Sequence, residues 1–386
     1  MKPEQLLFVL LRNTVCDQPL SDDTKAACTA EILERVHALA ARHDLAHLAG
    51  QALGKLNLPE SDGLAKCKAA TKQAIFRYMR LDHVYGQVSA ALEAACIPFV
   101  PLKGSVLRGY YPEPWMRTSS DIDILVPAER LEATAQLLQE KLQFTRGGKG
   151  NHDISLFSPA GVHLELHYTM IADEEEMQNS NRVLSRIWED AAPAQPGAYC
   201  HHISDAMFYF YHIAHMAKHI VNGGCGIRPF LDLWVLNNRT KCNARNGSDL
   251  LIEGGLLPFA RAAEKLTGVW FSGETPDPMT DGLAQFVLCG GVYGSVENHV
   301  TLHQTKQGGK LRYALGRVFL PYETIRYYYP VLQKHRWLTP LYQPVRWCKV
   351  LFKGGVKQSV REMKTNASVS REAVQSMAEL LAYLDL

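Results

Sequence analysis

The chain has 386 residues, 47% of them hydrophobic and 21% charged, enough for two or three domains and a sizeable core. The balance is ordinary for a soluble globular protein, and no apolar run reaches the roughly 18 residues that a membrane span needs. Net charge is +2, but residues 301–361 hold twelve Lys or Arg and one acid, Glu323, so that window carries +11 and the remainder −9. A basic segment on an otherwise acidic chain suits a polyanion or the protein's own acidic partner face. Nine scattered cysteines without a CxxC pair argue against a disulfide framework or a zinc site, and for a reducing, cytoplasmic setting.

In chain order, MKPEQLLFVLLRNTVCDQ reads as an amphipathic helix rather than a signal peptide. Residues 1–95 are helical throughout: Ile32, Val36 and Leu39 keep helical spacing, as do Leu45, Leu48 and Ala52. Residues 96–175 form a compact α+β unit. Its predicted parts are a buried strand over Ile97–Leu102, a second strand over Asp121–Val126, an amphipathic helix over Glu129–Leu142, a turn at Gly147–Gly150, and a hairpin of Asp153–Phe157 with Val162–Tyr168 around Ser158-Pro159-Ala160-Gly161. Residues 176–300 return to helix at Asn179–Asp190, Ser204–Val221, Pro229–Asn237 and Leu250–Leu266. Residues 301–386 are helical, basic and aromatic-rich.

Chemistry concentrates in Asp121-Ile122-Asp123-Ile124. Alternation puts both aspartates on one strand face, about 7 Å apart, with the isoleucines toward the core. Two such carboxylates call for a neutraliser, and a divalent metal is the obvious one; the bland reading is a solvated edge strand with two surface acids. In Val162-His-Leu-Glu-Leu-His-Tyr168 the same alternation sets His163, Glu165 and His167 on a polar face, so Glu165 is a candidate third carboxylate. Three carboxylates on adjacent strands would hold two metals at a phosphoryl-type transfer. Upstream, Lys103-Gly104-Ser105 follows a strand and precedes a short helix, the arrangement of an anion site. The competing reading is an ordinary turn. Arg117, four residues before Asp121, is placed to pair with the aspartates or to contact a triphosphate.

Together these parts resemble the DNA polymerase β-like nucleotidyltransferase superfamily, and within it an uncharacterised bacterial nucleotidyltransferase family. The residues carrying the resemblance are Lys103-Gly104, Tyr111-Pro112, Arg117 and Asp121-Ile122-Asp123, with Ser105 completing the turn and Glu165 standing where members often have Asp. It covers residues 97–170. Phe319-Leu-Pro321, Tyr329-Pro330 and Leu338-Thr-Pro340 are similar, more loosely, to the family's C-terminal helices. The resemblance implies a small mixed-sheet core flanked by helical domains. It also implies Mg²⁺ or Mn²⁺ on Asp121, Asp123 and Glu165, and an NTP, expected to be ATP, held by Lys103, Gly104, Ser105 and Arg117. Transfer of its NMP to an acceptor would release pyrophosphate. The helical domain after the core would face the cleft and bring Lys218, His219 and Arg228 to the nucleotide, with Asp232 as a partner for one of them. The acceptor stays open between a small molecule, a tRNA and a protein. Two other classes compete: a non-catalytic nucleotide-binding or regulatory protein, and an RNA- or tRNA-interacting protein using residues 301–361. The i, i+4 pair His215 and His219 is a weak zinc candidate without a third ligand. Cys225 lacks a base to make it a nucleophile, and a membrane-surface role for the basic tail rests on the short Val350-Leu-Phe-Lys stretch.

Overall fold

The computed structural model describes residues 1–150, 152–170, 177–240, 242–352 and 356–386. The expected end of the core near residue 175 lies outside the described residues. Five helices come first: α1 (Pro3–Val15), α2 (Asp22–Ala27), α3 (Ala30–Arg42), α4 (Ala46–Leu53) and the 33-residue α5 (Asp62–Ala94). Local chemistry sets several of their starts. Ser21 and Thr29 accept the backbone N–H three residues on, capping α2 and α3. Gly50 lets α4 lie on α5, because a Cβ there would sit 2.2 Å from the Cys67 carbonyl oxygen.

The sheet follows. Its members are β1 (Val100–Pro101), a one-turn helix α6 (Gly104–Leu107), β2 (Asp121–Leu125), α7 (Leu131–Leu142), β3 (Thr145–Lys149), β4 (Asp153–Phe157) and β5 (His163–His167). The strand order is β1-β2-β5-β4-β3, with β2 and β5 parallel and the other neighbours antiparallel. One sheet face packs on α5 and α7. Ile122, Ile124, Leu164 and Leu166 meet Leu81, Val84 and Val88 of α5 and Leu138 of α7 there, all buried. Each such side chain contributes about 1.5–3 kcal/mol on leaving water. Burying that face fixes the register, so the other face must carry the polar set.

Helices return as α8 (Gln178–Leu184) and α9 (Ile187–Asp190), then a small hairpin of β6 (Ala192–Pro193) with β7 (His201–His202), then α10 (Asp205–Val221), α11 (Arg228–Arg239), α12 (Ser248–Glu253), α13 (Leu257–Phe271) and α14 (Pro278–Cys289). These pack with α1, α3 and α4 in one large apolar core, so the two helical regions close on each other around the sheet's polar face. The last seven are α15 (Val296–Gln307), α16 (Lys310–Val318), α17 (Tyr322–Tyr328), α18 (Val331–Lys334), α19 (Thr339–Phe352), α20 (Val356–Ser368) and α21 (Arg371–Leu384). The class is α+β, a small mixed sheet with helices on both sides in sequence.

Three expected elements differ. The Gly147–Gly150 turn is largely strand β3, an exposed edge that pairs with β4 through a register shift between Arg146 and Lys149. Glycine tolerates that bulge, and Phe157 lies across Gly147, where a Cβ would come 3.0 Å from its ring. The Asn179–Asp190 helix is two pieces, α8 and α9. The Leu250–Leu266 helix breaks between α12 and α13 at Gly254-Gly255, where Gly255 has φ +70°.

Candidate active site

Parallel pairing decides which side chains meet. Asp121 lies beside His163, Asp123 beside Glu165 and Leu125 beside His167. Alternation therefore gathers Asp121, Asp123, His163, Glu165 and His167 on the face away from α5 and α7. Ligating atoms of Asp121, His163 and Glu165 all lie within 4.8 Å of one another, as do those of Asp123, Glu165 and His167. Glu165 belongs to both groups.

Asp123 is the buried member. Its Oδ1 accepts from Lys103 Nζ at 2.8 Å and from His167 Nε2 at 2.9 Å. Burial pushes the Asp123 carboxyl up, but Lys103 and His167 outweigh it and hold the group well below the usual carboxylate range. Burial raises Asp121, and the neighbouring Asp123 charge raises it further. A hydrogen bond from His167 lowers Glu165, at 3.4 Å between His167 Nε2 and Glu165 Oε2. The two aspartates are thus driven in opposite directions by unequal surroundings.

Lys103 reaches Asp123 from an unusual backbone, φ 42° and ψ −115°, a region that favours glycine. Such strain costs about 1–3 kcal/mol and persists only where the surroundings impose it. Here the imposing partners are the buried carboxylate ahead and α6 behind. Lys103 and Gly104 both line the cleft over the carboxylates. The expected phosphate cradle at Ser105 is altered. Its N–H donates to the Leu102 carbonyl at 3.1 Å, and its hydroxyl is buried, without a hydrogen-bond partner and outside the cleft lining. α6 is a single turn, too short to gather much dipole at its start. Ser119 and Ser120, which the sequence did not single out, line the cleft instead, and Ser120 Oγ donates to Asp121 Oδ2 at 3.3 Å.

Arg117 does not pair with the aspartates of β2. Its Nε donates to Oδ1 of Asp232 at 2.6 Å, and Tyr111 OH donates to the same oxygen at 2.7 Å. Arg117 is 9% exposed and Asp232 is 1% exposed, so this is a buried ion pair at the cleft wall. Arg228 pairs with Asp44 at 2.8 Å, and Thr118 Oγ1 donates to the same Asp44 oxygen at 2.8 Å. Both arginines line the cleft. Lys218 does not; it sits close enough to His215 to disfavour protonation there.

α10 closes the cleft with Tyr211, His215 and His219. The two histidines share a hydrogen bond, Nε2 to Nε2 at 3.0 Å, and burial lowers both pKa values, His219 to about 4. Among the described residues no third ligand joins them. Cys225 is buried and its thiol is pushed up to about 12, so no thiolate forms near neutrality. Three cleft-lining residues carry a buried polar atom without a hydrogen-bond partner: Tyr211 OH, Arg228 Nε and Asp232 Oδ2. Buried polar atoms are normally satisfied, and a set of them around one cleft is the mark of a ligand site. His43, Asp44 and Tyr211 had no local signal in the sequence. Asp44 and Arg228 stand 184 residues apart, and nothing near either names the other.

A family model described as uncharacterised nucleotidyltransferase matches residues 30–272. The chain belongs to this family. No curated protein and no solved structure matches it. The match opens at the first residue of α3 and runs just past α13, taking in His43, Asp44, the whole sheet and α10–α13. It stops short of residues 301–386, so the C-terminal likenesses at Phe319, Tyr329 and Leu338 fall outside it. The donor set over β2 and β5 suits a divalent cation: Asp121 with His163 and Glu165, and Asp123 with Glu165 and His167, are two overlapping groups, each of which joins one aspartate to the shared Glu165. Carboxylate oxygens suit Mg²⁺ and Mn²⁺ alike, whereas the His167 Nε2 is engaged with Asp123 and Glu165.

Proposed function

We propose that the chain transfers a nucleoside monophosphate from an NTP, ATP by preference, to an acceptor hydroxyl or similar group with release of pyrophosphate. The observation that carries the proposal is that a ligating oxygen of Glu165 lies within 4.8 Å of one on Asp121 and within 4.8 Å of one on Asp123, across two parallel strands beneath a cleft walled by Arg117 and Arg228. Asp121, Asp123 and Glu165 would hold Mg²⁺, which when bound stabilises negative charge on phosphoryl oxygens. The protein's own groups carry the remaining work. Lys103 supplies positive charge beside Asp123 and is near enough to the cleft to meet a phosphate oxygen. Arg117 and Arg228 are held by Asp232 and Asp44, which fixes the two guanidinium groups as cleft-wall donors. Glu165 is held ionised by His167, so it can accept the proton of an acceptor hydroxyl.

The test is incubation of the protein with each α-labelled NTP, Mg²⁺ and cell extract. Label should enter one fraction with one preferred NTP, and should not do so with Asp121→Asn combined with Asp123→Asn. Label transferred equally by that folded variant would defeat the proposal. A second reading, nucleotide binding without turnover, is favoured by one observation: Asp123 Oδ1 is already held by both Lys103 and His167. Mg²⁺-dependent ATP binding by calorimetry with no labelled product from any extract would establish it instead.

A further inference from the structure

The C-terminal region exposes apolar side chains that the rest of the molecule hides. Of twenty large hydrophobic side chains exposed among the described residues, thirteen fall between Leu311 and Val360. They are ordered. α16 shows Leu311, Leu315 and Val318; α19 shows Leu341, Val345 and Phe352; α20 shows Val356 and Val360. Each set keeps steps of three, four or seven residues, the spacing of one helix face. The inner edges meet in a groove lined by Val318, Trp347, Leu351, Val356, Val360 and Met363. The outer side chains project: Phe352 is 89% exposed and Leu311 75%, and Leu351 at the groove is still 63% exposed. An exposed apolar surface of this kind normally marks an interaction site.

Charge selects the occupant. The surface lies largely within the window of residues 301–361, which holds twelve Lys or Arg and Glu323 as its one acid; just past it, Glu362 lines the groove and pairs with Arg317. Two copies of so cationic a face repel each other. Single-stranded RNA needs free rings to stack on, and here the projecting side chains are mostly Leu and Val. Several rings are already taken. Arg336 lies over Tyr322, Lys349 over Tyr329, and Trp347 stacks edge-on with Phe319 while its Nε1 donates to the Val318 carbonyl. Projecting aliphatics, an exposed Trp337 and a cationic surround are the composition of a helix surface that sits in the headgroup layer of an anionic bilayer. No helix among the described residues is long and apolar enough to cross a membrane.

We infer that α16, α19 and α20 form a peripheral docking surface for an anionic phospholipid bilayer, with Leu351 and Phe352 entering the acyl boundary and the surrounding Lys and Arg meeting the headgroups. The surface lies outside the segment, residues 30–272, that the family model matches.

The test uses the full-length chain and vesicles of phosphatidylcholine alone or mixed with phosphatidylglycerol. The protein should sediment with the anionic vesicles, weakly or not at all with the neutral ones, and less as salt rises. Leu351→Asp with Phe352→Asp should lower partitioning at least roughly ten-fold. Both side chains are exposed, so circular dichroism should be unchanged. A fluorophore on Cys348, which is exposed on α19, should shift to the blue on adding anionic vesicles. Absence of sedimentation with either vesicle overturns the inference, as does undiminished binding by the double variant. If the double variant instead dissolves a dimer or abolishes RNA binding while vesicles are ignored, the surface serves that partner and the bilayer assignment is wrong.

Discussion

Around the cleft, cations are answered by anions; past residue 310, most are not. Lys103 meets Asp123, Arg117 meets Asp232 and Arg228 meets Asp44, each pair buried or half-buried. In the C-terminal helices, Arg346 donates to the carbonyls of Arg317 and Val318 instead of to an acid, and Arg336 and Lys349 lie over rings. The two regions keep their free energy in different places. The cleft is built of ionic geometry that fails if one partner goes. The tail matches Arg317 with Glu362 and Arg326 with Glu323 but carries a large excess of positive charge, and a surface of that kind acts on something outside the chain.

The comparison can be broken most severely at β2. Asp121→Asn with Asp123→Asn should lower nucleotide transfer at least about a thousand-fold, measured by label incorporation, with circular dichroism unchanged. Next in size is Asp232→Ala. It strands the Arg117 guanidinium in a buried wall and should cost about 3–5 kcal/mol in chemical denaturation. Acid should expose the same dependence. His43 and His47 are buried, and burial lowers both to about 4 from 6.5. Between those values the unfolded chain binds more protons, so their contribution is whole above pH 6.5 and is lost as pH falls toward 4. The urea midpoint should therefore fall between pH 7 and pH 4.5, and His47→Asn should flatten that fall.

A smaller contrast isolates Lys103. Lys103→Ala and Lys103→Gly both lose the Asp123 pair, but only alanine keeps a Cβ at φ 42°. The glycine variant should be the more stable of the two by about 1 kcal/mol in urea titration, and equal stabilities would remove the case for backbone strain. Smallest is Glu323→Gln in the tail. Glu323 is 62% exposed in its pair with Arg326, and its loss should move stability by under about 1 kcal/mol.

The contrast also explains what could be read in advance. The carboxylate face was legible because strand alternation is a local rule: Asp121, Asp123, His163, Glu165 and His167 need only period two to share a side. That the Glu165 strand would lie beside β2 was expected; that the two run parallel was not legible, and this register sets Glu165 opposite Asp123. Arg117 was drawn toward the nearest acids in sequence, four residues away, whereas it pairs with Asp232, 115 residues on. Proximity along the chain misleads wherever a helix can bring a partner from elsewhere. The Gly147 strand was missed because two glycines read as a turn, and edge pairing supplied the hydrogen bonds that glycine's flexibility would otherwise have forfeited.

One knot has a practical consequence. The Asp44 carboxylate receives Arg228 from α11 and Thr118 from the loop before β2, while it belongs itself to the junction of α3 and α4. Cutting the gene at residue 96, where the composition suggests a boundary, would therefore remove one wall of the cleft along with its counter-charge. An expression fragment meant to carry the site should begin no later than α3. Conversely, separately expressed halves divided after α5 have a built-in latch, and their reassembly should restore a working cleft.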